Sequence, residues 1–153
     1  MRHPLFLATI ITFSGCSKDD PSGDTSDCNP NGTFVDLDGD GWVTALGDGI
    51  ILLSYLMGGN QAIPQQAISN GATRNSKQIA GHADNNIENF DVDEDGLISL
   101  FTDGLLILRR LFGFEGESLI NSAVSDYSIA NGNPDAWKII ARNIPPKIFA
   151  ETK

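Results

Sequence analysis

Two stretches 55 positions apart constrain this chain more than anything else in it. They are DLDGDGWVTALGDGIILLSYLMG, from Asp36 to Gly58, and DVDEDGLISLFTDGLLILRRLFG, from Asp91 to Gly113. Nine of the 23 aligned positions are identical, and others are conservative exchanges such as Val43 for Ile98 and Thr44 for Ser99. Agreement of that density marks an internal duplication, so the fold has to be assembled from two copies of one unit.

Each unit crowds carboxylates in front of an apolar run. Four aspartates within 13 residues repel one another by about 1 kcal/mol per close pair in water, and by more near a protein surface. A divalent cation turns that repulsion into coordination. Calcium takes oxygens from alternating side chains of a tight loop, with a glycine at the sixth position for the sharp turn. Asp36, Asp38 and Asp40 stand at positions one, three and five, and Gly41 at six; Asp91, Asp93, Asp95 and Gly96 do the same in the second copy. Position seven, Trp42 or Leu97, offers a backbone carbonyl. Position nine, Thr44 or Ser99, offers a hydroxyl that reaches the ion or holds a water. The reading is therefore two calcium sites, with metal binding coupled to folding.

The loop closes differently from the EF-hand, which ends on a bidentate glutamate at position twelve. Here position twelve is Gly47 or Thr102, and the acid is Asp48 or Asp103 at thirteen. Behind it runs a helix that is apolar nearly all round: Ile50, Ile51, Leu52, Leu53, Tyr55, Leu56 and Met57 in the first copy, Leu105, Leu106, Ile107, Leu108, Leu111 and Phe112 in the second. Such a helix is buried or forms an interface. An aspartate at its start suits the positive end of the helix dipole, and Gly58 and Gly113 fall where a C-terminal cap belongs. The two helices are expected to pack on each other as a pseudo-twofold pair, giving a mainly α fold of two loop-helix repeats with short covering helices.

These repeats resemble dockerin modules, the calcium-binding partners of cohesins in bacterial cellulosomes. The resemblance covers about Asp36 to Ile144 and is closest in the two 23-residue segments. It implies a domain over 35–144, with repeat one about 35–85 and repeat two about 86–144. It also implies a cohesin-like or other surface protein as partner. Dockerins often use a Ser-Thr pair at positions ten and eleven to recognise cohesin, whereas this chain has Ala45-Leu46 and Leu100-Phe101, apolar pairs that are candidates for the core instead. Arg109-Arg110 nearly matches the basic pair of the dockerin recognition helix, and Ser54-Tyr55 stands in its place in repeat one. That arginine pair is either a solvated face or a partner contact.

The segments after each repeat are polar with scattered apolar residues. Short helices are expected around Ile63 to Ile68 and Lys77 to His82, and from Asn133-Pro134 onward, where Trp137, Ile140 and Ile144 share one face. The tail, 145–153, should fray.

The N-terminus has its own character. Arg2 and His3 precede an apolar run from Leu5 to Phe13, too short to span a bilayer, which reads as a signal peptide over 1–15. Phe13-Ser14-Gly15-Cys16 resembles the lipobox of bacterial lipoproteins, although that family usually has an aliphatic residue where Phe13 stands. The resemblance implies lipidation of Cys16, and Ser17 after it implies the outer membrane or cell surface. Residues 16–34, rich in Ser, Asp, Gly and Asn, then form a flexible tether. Cys28 is a free thiol or, without lipidation, half of a tether disulfide.

Charge excludes some functions. With 20 acidic against 10 basic residues and a net charge of −10, the chain repels nucleic acid, and it meets a membrane only through its lipid anchor. Catalysis is not expected, because there are two histidines, no nucleophile motif and no phosphate loop, and calcium accounts for the aspartates. Two readings remain: a calcium-dependent interaction module of an envelope lipoprotein, or a calcium-stabilised envelope lipoprotein with no dedicated partner.

Overall fold

The computed structural model describes residues 34–144. The signal run, Cys16, the tether up to residue 33 with Cys28, and the tail lie outside the described residues. Within them the protein is mainly helical and has no strand. The helices are α1 (Ile50–Gly58), α2 (Ser76–Asn85), α3 (Leu105–Leu111), α4 (Glu117–Ile120) and α5 (Ala136–Asn143).

Each acidic loop alternates. Between the aspartates, Leu37 and Val92 are fully buried, as is Val43 further along, so the loops feed the core from one side while their acids gather on the other. The core then takes Ile51 and Leu52 from α1 and Leu106, Ile107 and Leu111 from α3. Ile79, Ala80 and Ala83 of α2 cover one part of it, and Leu119, Ile140 and Ile144 another. Phe34 and Phe90 meet edge to face at 5.3 Å, which ties the start of the first loop to the residue before the second.

The residue that displaces the closing acid to position thirteen is absorbed at the helix start. Gly49 donates to the Thr44 carbonyl at 3.1 Å and Gly104 to the Ser99 carbonyl at 3.0 Å, each spanning five residues. These wide turns, Ala45–Gly49 and Leu100–Gly104, are what one extra residue produces when a helix must keep its register. They bring the glycine of each Asp-Gly pair against the opposite helix. A Cβ on Gly49 would stand 2.7 Å from Leu108 Cδ1, and one on Gly104 2.9 Å from Leu53 Cδ2.

Several local expectations are corrected. The helix expected over Ile63 to Ile68 is a single turn, Gln65–Ala67, because Pro64 holds Ile63 extended. The first helix is capped by Gly59, at φ 66°, rather than by Gly58, whereas Gly113, at φ 89°, does serve. α2 extends beyond the expected stretch, started by a capping box between Asn75 and Gln78. His82, expected in solvent, is half-buried on it. Of the apolar pairs at positions ten and eleven, Ala45 is buried, but Leu46 and Phe101 project into solvent at 71% and 76% exposure.

Candidate metal centre

The loop carboxylates converge. Asp36, Asp38 and Asp40 offer oxygens that lie within 4.8 Å of one another, and so do Asp91, Asp93 and Asp95; either cluster could hold a metal ion. Backbone amides shape both. Asp36 accepts from Gly39 at 2.9 Å and Gly41 at 3.1 Å, and Asp91 accepts from Asp95 at 3.1 Å and Gly96 at 2.9 Å. Asp40 and Asp95 accept from Trp42 at 2.8 Å and Leu97 at 2.7 Å. The sixth-position glycines bring the chain back through the left-handed region, at φ 86° and 83°, where a Cβ would be strained.

Asp48 and Asp103 act as clasps. Asp48 takes the Leu37 amide on one oxygen at 2.8 Å and the Thr44 amide on the other at 2.9 Å. Asp103 repeats this with Val92 at 2.8 Å and Ser99 at 2.9 Å, and accepts the Thr102 hydroxyl as well. One carboxylate thus joins both edges of each loop and is buried, at 2% and 0% exposure. Burial pushes the Asp48 carboxyl up to about 7, with the charges of Asp38 and Asp36 adding to the effect. Asp36, Asp93 and Asp103 are likewise raised, chiefly by burial, and the charges of Asp103, Asp95 and Asp91 push Asp93 further. These groups resist ionising together unless a cation joins them.

At the remaining expected positions the side chains cap turns or face solvent. The Thr44 hydroxyl accepts from Gly47 at 3.0 Å and the Ser99 hydroxyl from Phe101 at 3.2 Å, so both cap the turns that follow. The side chains of Trp42 and Leu97 are exposed. Arg109 and Arg110 are engaged within the protein: Arg109 donates to the carbonyls of Leu119 at 3.0 Å and Asn121 at 2.8 Å, and Arg110 pairs with Glu115 at 2.9 Å.

Some contributors were not foreseen from the sequence. The Ser69 amide donates to Asp38 at 2.8 Å, and the Ser125 amide to Asp93 at 2.8 Å. The Thr73 hydroxyl holds the Gly39 carbonyl at 2.9 Å, and the Ser128 hydroxyl holds the Asp93 carbonyl. The covering segments therefore carry a second duplicated element, Ala67-Ile68-Ser69 and Ala123-Val124-Ser125, displaced by 56 rather than 55 positions. Allowing one inserted residue when aligning the halves would reveal it. Arg74 and Asn143, which also reach the loops, have no such signal.

No protein-family model, curated protein or solved structure matches this chain. Among the described residues no helix is long and apolar enough to cross a membrane.

Proposed function

We propose that the protein is a calcium-binding, dockerin-like interaction module of an envelope lipoprotein, holding one ion per repeat and associating with a cohesin-like or other surface protein when calcium is bound. The observation that carries the metal reading is Asp93: it is 1% exposed, its Oδ1 has no hydrogen-bond partner among the described residues, and it sits inside the second acidic cluster. A buried carboxylate oxygen left unpaired among like charges calls for a cation. The donors in both clusters are carboxylates, with no thiolate or imidazole, which suits a hard ion such as calcium. Asp36, Asp38, Asp40 and Asp91, Asp93, Asp95 would hold it. Asp48 keeps lone pairs beyond the two amides it accepts, whereas Asp103 accepts three amides and the Thr102 hydroxyl, two donors on each oxygen.

The pseudo-twofold pairing of the repeats is part of this reading. Its support is the reciprocal fit of Gly49 on Leu108 and Gly104 on Leu53, residues related by the same 55-position shift. An interaction role is favoured over purely structural calcium because large apolar side chains are exposed at equivalent positions in both repeats. They are Trp42 and Leu97, Leu46 and Phe101, and Met57 and Phe112.

Titrating calcium into the chelator-stripped protein, with circular dichroism at each end, tests the metal. Two bound ions with a gain of helix support the reading; no binding up to several millimolar, about the weakest range of extracellular calcium modules, rejects it. Retention of an envelope or secreted protein only when calcium is present tests the partner. Failure to retain any such protein, with or without calcium, would leave the structural alternative.

A further inference from the structure

The two loops differ in charge at their backs. In the first, Arg74 is buried, and its Nη1 donates to the carbonyls of Asp36 at 2.8 Å and Leu37 at 3.3 Å, while its own amide donates to Asp38 O at 3.0 Å. The guanidinium lies so close over Gly39 that a Cβ there would stand 2.9 Å from Nη1. In the second loop the residue equivalent to Gly39 is Glu94, held at φ 56°. The carbonyl equivalent to that of Leu37, on Val92, is met by a neutral amide: Asn143 Nδ2 donates to it at 3.0 Å and to Glu94 Oε1 at 2.8 Å. By formal charge, loop one therefore sets Asp36, Asp38, Asp40 and Asp48 against one arginine, a net of three negative charges. Among the described residues Asp91, Asp93, Glu94, Asp95 and Asp103 of loop two form no ion pair, which leaves five formal negative charges.

Hydrogen bonding differs in the same sense. Both oxygens of Asp38 are occupied, by the amides of Asp40 at 3.1 Å and Ser69 at 2.8 Å. Asp93, its equivalent, has among the described residues only the Ser125 amide at 2.8 Å, and its buried Oδ1 has no partner among them.

We infer that the repeats are unequal cation sites: loop two is the tight one, and Arg74 serves loop one as a built-in cation that keeps it closed without metal and weakens its hold on a divalent ion. This rests on the calcium reading above. Affinity in such loops is set by the number of charged ligands and by rigidity, and a guanidinium behind the ligands opposes an incoming cation while bracing their backbone.

Calorimetric titration of calcium chloride into the chelator-stripped full chain tests it. The expected result is two steps of one ion each, the first tighter by about tenfold or more. Asp91→Asn should erase the tight step and Asp36→Asn the weak one. Arg74→Met should tighten the weak step several-fold and, without calcium, speed amide exchange at Ser69 and Thr73. Should that variant fail to fold, Glu94→Gln, at an exposed position, should weaken the tight step alone. Two equal steps, loss of the tight step in Asp36→Asn, or steps unmoved by both charge variants would overturn the inference while leaving calcium binding intact. Absence of heat at any concentration would overturn calcium binding and the inference together.

Discussion

Leu108 presses on Gly49 so closely that the smallest side chain would not fit: a Cβ there would stand 2.7 Å from Leu108 Cδ1. The counterpart 55 positions on is as tight, with a Cβ on Gly104 placed 2.9 Å from Leu53 Cδ2 and 3.2 Å from Leu56 Cδ1. Both glycines have ordinary helical backbone angles, φ −60° and −56°, so space and not conformation dictates them. Each Asp-Gly pair thus has two separable tasks. The aspartate fastens its own loop, and the glycine admits the other repeat's helix.

Gly49→Ala and Gly104→Ala should each destabilise the protein by about 1–3 kcal/mol, the usual cost of forcing an atom into a packed interface. Gly81→Ala on α2, where a Cβ would meet nothing within 4 Å, should be neutral or stabilising by about 0.5–1 kcal/mol. Thermal or urea unfolding reads all three, and equal effects would mean that the glycines do not mediate the packing.

The clasp and the clustered loop carboxylates separate under mutation. Asp48→Ala removes the acceptor for the Leu37 and Thr44 amides and should cost about 1–3 kcal/mol even without metal, because buried donors are left unmet. Asp40→Ala removes only the acceptor for the exposed Trp42 amide, so it should abolish ion binding in loop one and leave the stripped protein's stability nearly unchanged. Unfolding curves in chelator and in calcium distinguish the two.

Much of this design was legible from the residues. The aspartates, the sixth-position glycines and the apolar helices are local signals, and the 55-residue shift placed each against its copy. What stayed hidden came from elsewhere in the chain. The Ser69 and Ser125 amides meet their aspartates across 31 and 32 residues, and a backbone donor leaves no mark on side-chain pattern. Arg74 lies in a polar stretch that gives no hint of its burial. Leu46 and Phe101 were candidates for the core by composition, yet the wide turns aim them outward.

Acidity should act oppositely on the stripped and loaded forms. The folded Asp48 carboxyl is raised from 3.8 to about 7, so between those values the folded state binds more protons than the unfolded one. Stability then falls as pH rises through that window, the sign opposite to that of a salt-bridged aspartate. Asp36, Asp93 and Asp103 shift the same way. The stripped protein should therefore be more stable at pH 5 than at pH 7.5. The calcium form should show the reverse, since protons displace the ion. Melting temperatures in chelator and in calcium across this range check it, and a stripped protein that gains stability toward pH 7.5 would contradict the burial of these acids.

Leu46 and Phe101 give the interaction reading its sharpest test. They occupy the same position in the two loops and are 71% and 76% exposed, so they contribute little to the core. Leu46→Ser with Phe101→Ser should change stability by no more than about 0.5 kcal/mol and leave calcium binding intact, as surface substitutions usually do. Leu52→Ala, at a fully buried position, should cost about 2–5 kcal/mol. If the apolar tips meet a partner, the double variant loses calcium-dependent retention of that protein while folding and loading normally. Retention that survives both substitutions would move the contact to another surface. If the unaltered protein retains nothing in calcium, the ions serve the fold alone, and the exposed tips need another explanation.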